Sequence, residues 1–108
     1  GNDIELTRGD SLRFRVSLRG RELPADTVVL FSVKRNLRDA TPVIEKRYSI
    51  DANADVYVGV SSADSDVEPG MYYWDIRVMI PLHDGTFEVI TPMEYAAFFV
   101  MEVVGDVG

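Results

Sequence analysis

The sequence predicts an all-β domain, and three observations lead to that prediction. Apolar and polar residues alternate along several short runs, which places successive side chains on opposite faces of a strand. Turn-forming residues separate these runs at intervals of roughly 8–12 residues. No stretch of useful length shows the periodicity of an amphipathic helix. We therefore expect a β-sandwich of about seven to eight antiparallel strands that occupies residues 1–108 as a single domain.

The predicted strands follow one another with polar turns between them. The first strand ends before Gly9-Asp10, and the second alternates without a break from Leu12 to Arg19. The dipeptide Asp84-Gly85 lies between two later runs and is a strong hairpin signal. In chain order, the predicted strands are residues 4–7, 12–19, 27–34, 43–50, 56–60, 72–80, 86–91 and 96–104.

Two segments depart from this regular pattern. Pro92 cannot donate a ladder hydrogen bond, so residues 86–104 form either two strands or one bulged strand. One helical turn is expected at residues 62–67, with Ser62 as its cap. Asp64, Asp66 and Glu68 crowd into the same segment, and we expect them to be solvated or capping residues.

The inward positions of the alternating runs define a predicted core. Trp74 shares one strand face with Tyr72, and its alternation with Asp75 and Arg77 favours burial over a role as an exposed platform for a sugar. The side chains expected to meet in one core are Phe14, Val16, Phe31, Val58, Trp74, Ile76 and Val78.

Composition argues against several classes of function. The chain has no cysteine, which excludes disulfides, zinc–thiolate sites and cysteine nucleophiles and favours assembly in a reducing cytoplasm. Its net charge of −7 lacks the basic footprint of a nucleic-acid-binding protein. No apolar run approaches the roughly 20 residues of a membrane helix. We expect neither nucleic acid nor a membrane as a partner.

No group of residues assembles a recognisable catalytic or metal site. His83 is the only histidine, so neither a Ser-His-Asp triad nor a three-histidine metal site can form. Residues 51–55 resemble the opening of a calcium loop, but Val56 stands where that loop needs glycine and Ser62 where it needs glutamate. We expect no catalytic residue, no cofactor and no metal, and we do not expect an enzyme.

Two groups of residues are candidates for an interface. Arg13, Arg15 and Arg19 share the outward face of one strand, where they either pair with acids across the sheet or meet an acidic partner. Charge is uneven along the chain, since residues 1–47 carry ten basic and seven acidic residues (net +3) and residues 48–108 carry one and eleven (net −10).

The closing strand supplies the second group. One of its faces carries Phe99, Met101 and Val103, and the other carries Phe98, Val100, Glu102 and Val104. Only one face of a strand meets the core when the other is wet. We predict that Phe98 and Val100 form the outward, exposed patch, which would support self-association; the alternative is that the Ala96-Ala97 bend or another loop covers them.

A recognisable order of residue types follows the fifth predicted strand. Ser61-Ser62-Ala63-Asp64 leads to Val67-Glu68-Pro69-Gly70-Met71-Tyr72-Tyr73-Trp74-Asp75-Ile76. This series resembles a signature of immunoglobulin-like domains in phage and prophage structural proteins, notably the N-terminal domain of baseplate upper proteins. Met71 and Ala96-Ala97 depart from the pattern. Other pieces match in the same order over nearly the whole chain: residues 9–12, 31–34, 42–44, 84–86, 90–92 and 98–104.

The resemblance implies an immunoglobulin-like sandwich with structural roles for Gly70, Tyr72, Trp74 and Gly85. The Pro-Gly turn before Tyr72 fits a tyrosine corner, in which the hydroxyl bonds back to the preceding loop. The expected function is that of a non-enzymatic structural or assembly protein of a phage tail or baseplate, assembled in the bacterial cytoplasm. Its partners would be other virion proteins or copies of itself.

A carbohydrate- or cell-surface-binding module is the alternative expectation. An exposed aromatic cluster beside a groove would favour that alternative. Apolar strand faces buried between copies would favour assembly.

Overall fold

The computed structural model describes residues 2–16, 23–51 and 56–102, with the side chains of residues 92–94 left out of the description. The described chain contains strands and turns and no helix, so the all-β prediction is confirmed. Its strands are β1 (Ile4–Thr7), β2 (Leu12–Val16), β3 (Thr27–Lys34), β4 (Ile44–Ile50), β5 (Val56–Val60), β6 (Gly70–Pro81) and β7 (Phe87–Met101).

The strands form one five-stranded and one two-stranded sheet. The larger sheet has the order β1-β7-β6-β3-β4, and β2 pairs with β5 in the smaller sheet. The pairing of β1 with β7 is parallel and all other pairings are antiparallel, so the larger sheet is mixed. The expectation of wholly antiparallel strands is therefore wrong at β1. Strand β1 pairs with β7, which lies at the other end of the sequence. Local alternation of apolar and polar residues predicts neither this partner nor the direction of the pairing.

The region around Pro92 is one bulged strand. β7 runs unbroken from Phe87 to Met101, and its pairing with β6 shifts register twice, between Trp74 and Ile76 and between Ile76 and Val78. Pro92 lies on the stretch of β7 opposite these shifts. Bulges are places where a strand tolerates a missing ladder donor, because the pairing is already interrupted there.

Side chains from both sheets meet in a single core. Phe14 of β2 packs edge-on against Phe31 and Trp74, with ring centroids 5.5 and 5.9 Å apart. Trp74 is 6% exposed, and its indole N–H donates to the backbone oxygen of Asn2 at 3.1 Å. The predicted core is confirmed, with Phe14 and Val16 half-buried at its margin.

The segment between β5 and β6 makes one turn in which the Ser65 amide donates to the Ser61 carbonyl oxygen at 3.1 Å, so the predicted turn begins at Ser61 instead of Ser62 and is not continued as a helix. Ser61, rather than Ser62, makes the reciprocal bonds of a cap: its amide donates to the Asp64 carboxylate at 2.8 Å, and its hydroxyl accepts from the Asp64 amide at 3.1 Å. Buried Ser65 then fastens this turn to the β1–β2 turn, accepting from the Gly9 amide and donating to the Asp10 carbonyl oxygen. Bonds to another turn, which the local pattern does not show, hold the segment in this shape.

Candidate functional surface

Strand β7 presents the opposite face from the predicted one. Phe98 and Val100 are 0% and 2% exposed and belong to the core, so the prediction that they form an outward patch is wrong. Both faces of this strand are apolar, and alternation alone therefore cannot say which one meets the core. The parallel partner β1 and the neighbour β6 set the register, which turns Phe98 and Val100 inward. Val103 and Val104 lie outside the described residues.

An exposed apolar stripe consequently runs along the outer side of β7. We call it the outer stripe, and it combines residues near the hairpin tip with residues at the β1 end. Met71 of β6 belongs to it because Met71 pairs directly with Phe99. Four of its members are exposed and Phe99 is half-buried: Phe87 (53%), Val89 (57%), Met101 (50%), Met71 (43%) and Phe99.

The middle of the same outer face is hollowed into a groove that we call the outer trough. Tyr73 of β6 and Tyr95 of β7 form one wall, with ring centroids 5.8 Å apart and ring planes at 86°. Exposed Leu37, in the β3–β4 loop, forms the other. The trough has a volume of about 240 Å³, and its lining consists of Ser32, Lys34, Leu37, Tyr73, Trp74, Asp75, Arg77 and Tyr95.

A second depression continues the trough toward β4. It has a volume of about 160 Å³ and shares Ser32, Lys34, Asp75 and Arg77 with the first. Glu45 of β4 and Pro42 of the preceding loop close its far side. Ser32 lies in the middle because it pairs with Asp75 on one side and Glu45 on the other.

The charges along the trough are balanced. Lys34 and Arg77 supply two cations, and Asp75 and Glu45 supply two carboxylates. The Arg77 Nε atom lies 3.8 Å from an Asp75 oxygen, which is too long for a hydrogen bond. Lys34 and Glu45 make no ion pair with any of the residues that the structure describes. Cationic hydrogen-bond donors and anionic acceptors thus face the same open groove.

Two of the arginine candidates, Arg13 and Arg15, lie on the other sheet. The guanidinium of Arg13 stacks over the ring of Tyr57 at 4.4 Å, and Arg15 is exposed and lies opposite Tyr57 in the β2–β5 register. Arg19 lies outside the described residues. At Arg13 the cross-strand partner is therefore an aromatic ring and not an acid. A cation–π contact at an exposed site contributes about 0.5–1 kcal/mol.

Three predicted structural residues occupy the start of β6. The Tyr72 hydroxyl donates to the Glu68 carbonyl oxygen at 2.6 Å, which is the bond expected of a tyrosine corner. Above the Tyr72 ring, the Arg35 guanidinium lies 4.8 Å from the centroid and donates to the Met71 carbonyl oxygen. Gly70 has a φ of +147°, and a Cβ there would collide with the Arg35 guanidinium. Trp74 completes this group in the core.

The acidic cluster is engaged in holding the fold. Burial acts to raise the pKa of Asp64, but hydrogen bonds from Lys46 and Ser61 and the Lys46 charge together lower it below the usual value. Asp64 lies 2.8 Å from the Lys46 ammonium, and Asp66 pairs with Arg8 at 2.9 Å. The carbonyl oxygen of Glu68 accepts the Tyr72 bond.

The remaining chemical candidates are dispersed. His83 is exposed at the β6–β7 hairpin, where Gly85 adopts a φ of +85°. Hydrogen bonds from the Thr86 hydroxyl and amide lower the pKa of the neighbouring Asp84. Residues 52–55 of the calcium-like segment lie outside the described chain. Within the described ranges, no three His, Cys, Asp or Glu side chains are grouped to hold a metal ion. No helix there is long and apolar enough to cross a membrane.

No family model, no curated protein and no solved structure matches the chain.

Proposed function

We propose that this chain is an immunoglobulin-like sandwich that serves as a non-enzymatic assembly module of a phage or prophage virion. The strand order supports the fold. Taking β2, β3, β4, β5, β6 and β7 as strands B, C, C′, E, F and G gives a G-F-C-C′ sheet facing a B-E pair, an arrangement that immunoglobulin-like domains share.

The observation that carries the proposal is the Tyr72–Glu68 bond at the start of β6. It falls at the corner between strands E and F, where immunoglobulin-like domains place their tyrosine corner. The same Pro-Gly-x-Tyr segment lies within the signature that resembles phage structural proteins. Fold and resemblance therefore rest on the same residues, while the fold alone is compatible with many functions.

The outer stripe is the surface that we assign to assembly. Exposed apolar side chains gathered on one strand face usually mark a partner surface, because they leave water when a second protein covers them. Met71 and Met101 are flexible and polarizable, which suits contacts with repeated or slightly different partners. The partner is another virion protein or a second copy of this chain.

Purified particles test the proposal. Particles from cells that carry the gene are separated on a density gradient, and their proteins are identified by mass spectrometry. We expect the chain to co-migrate with capsid and tail proteins at a fixed ratio. Its absence from intact particles, when it is present in the same cells, would contradict the virion assignment.

A second candidate function is that of a carbohydrate- or cell-surface-binding module. The observation that favours it is the Tyr73–Tyr95 pair, which stands beside an open groove with Tyr95 57% exposed. This feature lies between the two ends of the outer stripe and can be tested separately from it.

A further inference from the structure

We propose that the outer trough is a binding site for a neutral oligosaccharide, which deepens the second candidate function and does not depend on the virion assignment. Sugar rings carry C–H groups on their faces and hydroxyl groups around their edges. The C–H groups pack on the negative face of an aromatic ring. Tyr73 and Tyr95, with their planes at 86°, offer two aromatic surfaces at a right angle.

The polar lining matches the edge of a sugar. A hydroxyl group both donates and accepts hydrogen bonds. Asp75 and Glu45 provide acceptors, and Lys34 and Arg77 provide donors. Because the Arg77 and Asp75 groups nearest each other are 3.8 Å apart, neighbouring hydroxyls on one ring can bond to both without breaking a short ion pair.

Charge balance selects a neutral ligand. A phosphorylated or sulfated ligand would meet Lys34 and Arg77, but it would also face the carboxylates of Asp75 and Glu45. A purely apolar ligand would desolvate all four charged groups without forming a hydrogen bond to any of them. A neutral polyhydroxylated ligand satisfies both signs of charge.

The same lining argues against a protein in this position. Charged residues are depleted at the centres of protein interfaces, where they would be desolvated. Here the four charged side chains lie together in the middle of the concave surface. The apolar groups that suit a protein partner lie instead on either side of the trough, with Phe87 and Val89 toward the hairpin tip and Phe99 and Met101 toward β1.

The dimensions favour several sugar units over one. The two depressions cross the sheet from Tyr95 on β7 to Glu45 on β4. These strands are separated by three strand spacings, which corresponds to about 14 Å. The Leu37–Pro42 loop borders the groove on one side and gives the bound chain a defined path.

A glycan array tests the proposal with the full chain, using neutral oligosaccharides of one to six units beside sulfated, phosphorylated and uronic-acid glycans. We expect signal on one or more neutral glycans of at least two units. The best of these is then titrated by isothermal calorimetry, which gives the affinity of the wild-type chain.

Matched variants locate the site. Tyr95→Ala and Asp75→Asn should each weaken binding at least about tenfold, because each removes one part of the sugar contact. Tyr57→Ala is the control, since Tyr57 is a comparably exposed tyrosine on the smaller sheet and should leave affinity unchanged. Thermal melts check that all three variants remain folded.

Three results would overturn the proposal. One is an array without signal on any neutral glycan, and another is a preference for anionic glycans. The third is an affinity that Tyr95→Ala and Asp75→Asn leave intact. If the array fails while particles contain the chain, the assembly role stands and the trough is not a sugar site. If the array shows binding but intact particles lack the chain, the sugar site stands and the virion role does not.

Discussion

The Tyr72 hydroxyl donates a 2.6 Å hydrogen bond to the backbone oxygen of Glu68, four residues earlier in the chain. The bond fixes the β5–β6 connection to the strand that follows it. The Tyr72 ring is buried and also carries the Arg35 guanidinium, so the hydroxyl is held in a well-defined place. Loop and strand are thereby coupled at the position that supports the immunoglobulin-like assignment.

Replacing Tyr72 with phenylalanine should lower the free energy of unfolding by about 1–2 kcal/mol, because the variant loses one hydrogen bond and keeps the buried ring. Urea denaturation followed by circular dichroism measures the change. Tyr95→Phe is the control, since no hydrogen bond from the exposed Tyr95 hydroxyl occurs among the described residues. Equal stability of Tyr72→Phe and wild type would show that the bond is unimportant.

Gly70 is expected to tolerate no side chain without loss of stability. Its φ of +147° is unfavourable for an L residue, and an alanine Cβ would also collide with the end of Arg35. Gly70→Ala should cost about 1–3 kcal/mol. Because Arg35 itself contacts Tyr72 and the Met71 carbonyl oxygen, the collision is isolated by comparing backgrounds: Gly70→Ala should cost less, but still cost something, when Arg35 is already alanine. Gly59→Ala, which meets open space, should be neutral; a harmless Gly70→Ala would refute this account of the Pro-Gly turn.

Asp64 should make stability depend on pH in the acidic range. Its pKa is lowered in the folded state, so its contribution is complete above the unfolded pKa of about 3.9 and is lost as pH falls through the folded value. Asp64→Ala should destabilise the protein at pH 7 by about 0.5–2 kcal/mol, as loss of a cap does. The gap between wild type and variant should shrink below about pH 4. A gap independent of pH would rule out the carboxylate as its source.

Adjacent residues Phe98 and Phe99 provide a direct test of the β7 register. Phe98→Ser should cost about 3–5 kcal/mol or more, because it removes a fully buried ring and inserts a hydroxyl. Phe99→Ser should change stability by no more than about 1 kcal/mol, because Phe99 lies on the outer face. The opposite ranking, measured by chemical denaturation of both variants, would mean that β7 is turned over.

The same pair shows what a sequence can and cannot predict here. Runs with one apolar and one polar face, such as Leu12 to Val16, predict strand and orientation together. Phe98 to Met101 is apolar on both faces, so its orientation depends on β1 and β6, which are distant in sequence or paired through bulges. The pairing of Ser32 with both Asp75 and Glu45, which creates the trough, likewise depends on long-range register.

Among the aromatic side chains, too, local alternation predicts some positions and long-range strand pairing decides others. The sequence predicts the burial of Trp74, because the polar residues Asp75 and Arg77 occupy the opposite face of its strand. It does not predict the trough wall, because Tyr73 and Tyr95 come together only through the pairing of β6 with β7. The sequence carries one signal of this wall, a tyrosine at position 73 on the outward face of a strand whose inward face holds Tyr72 and Trp74.

Hydroxyl-radical footprinting tests the proposal that a partner covers the outer stripe in a phage particle. Met71 and Met101 are exposed in the free chain and their oxidation is readily measured by mass spectrometry. We predict strong oxidation of both methionines in the free protein and clear protection of at least one in purified particles. Tyr57, on the smaller sheet, should be labelled in the free protein and calibrates the dose there. Equal oxidation of Met71 and Met101 in the free protein and in particles would contradict the assignment of this face to assembly.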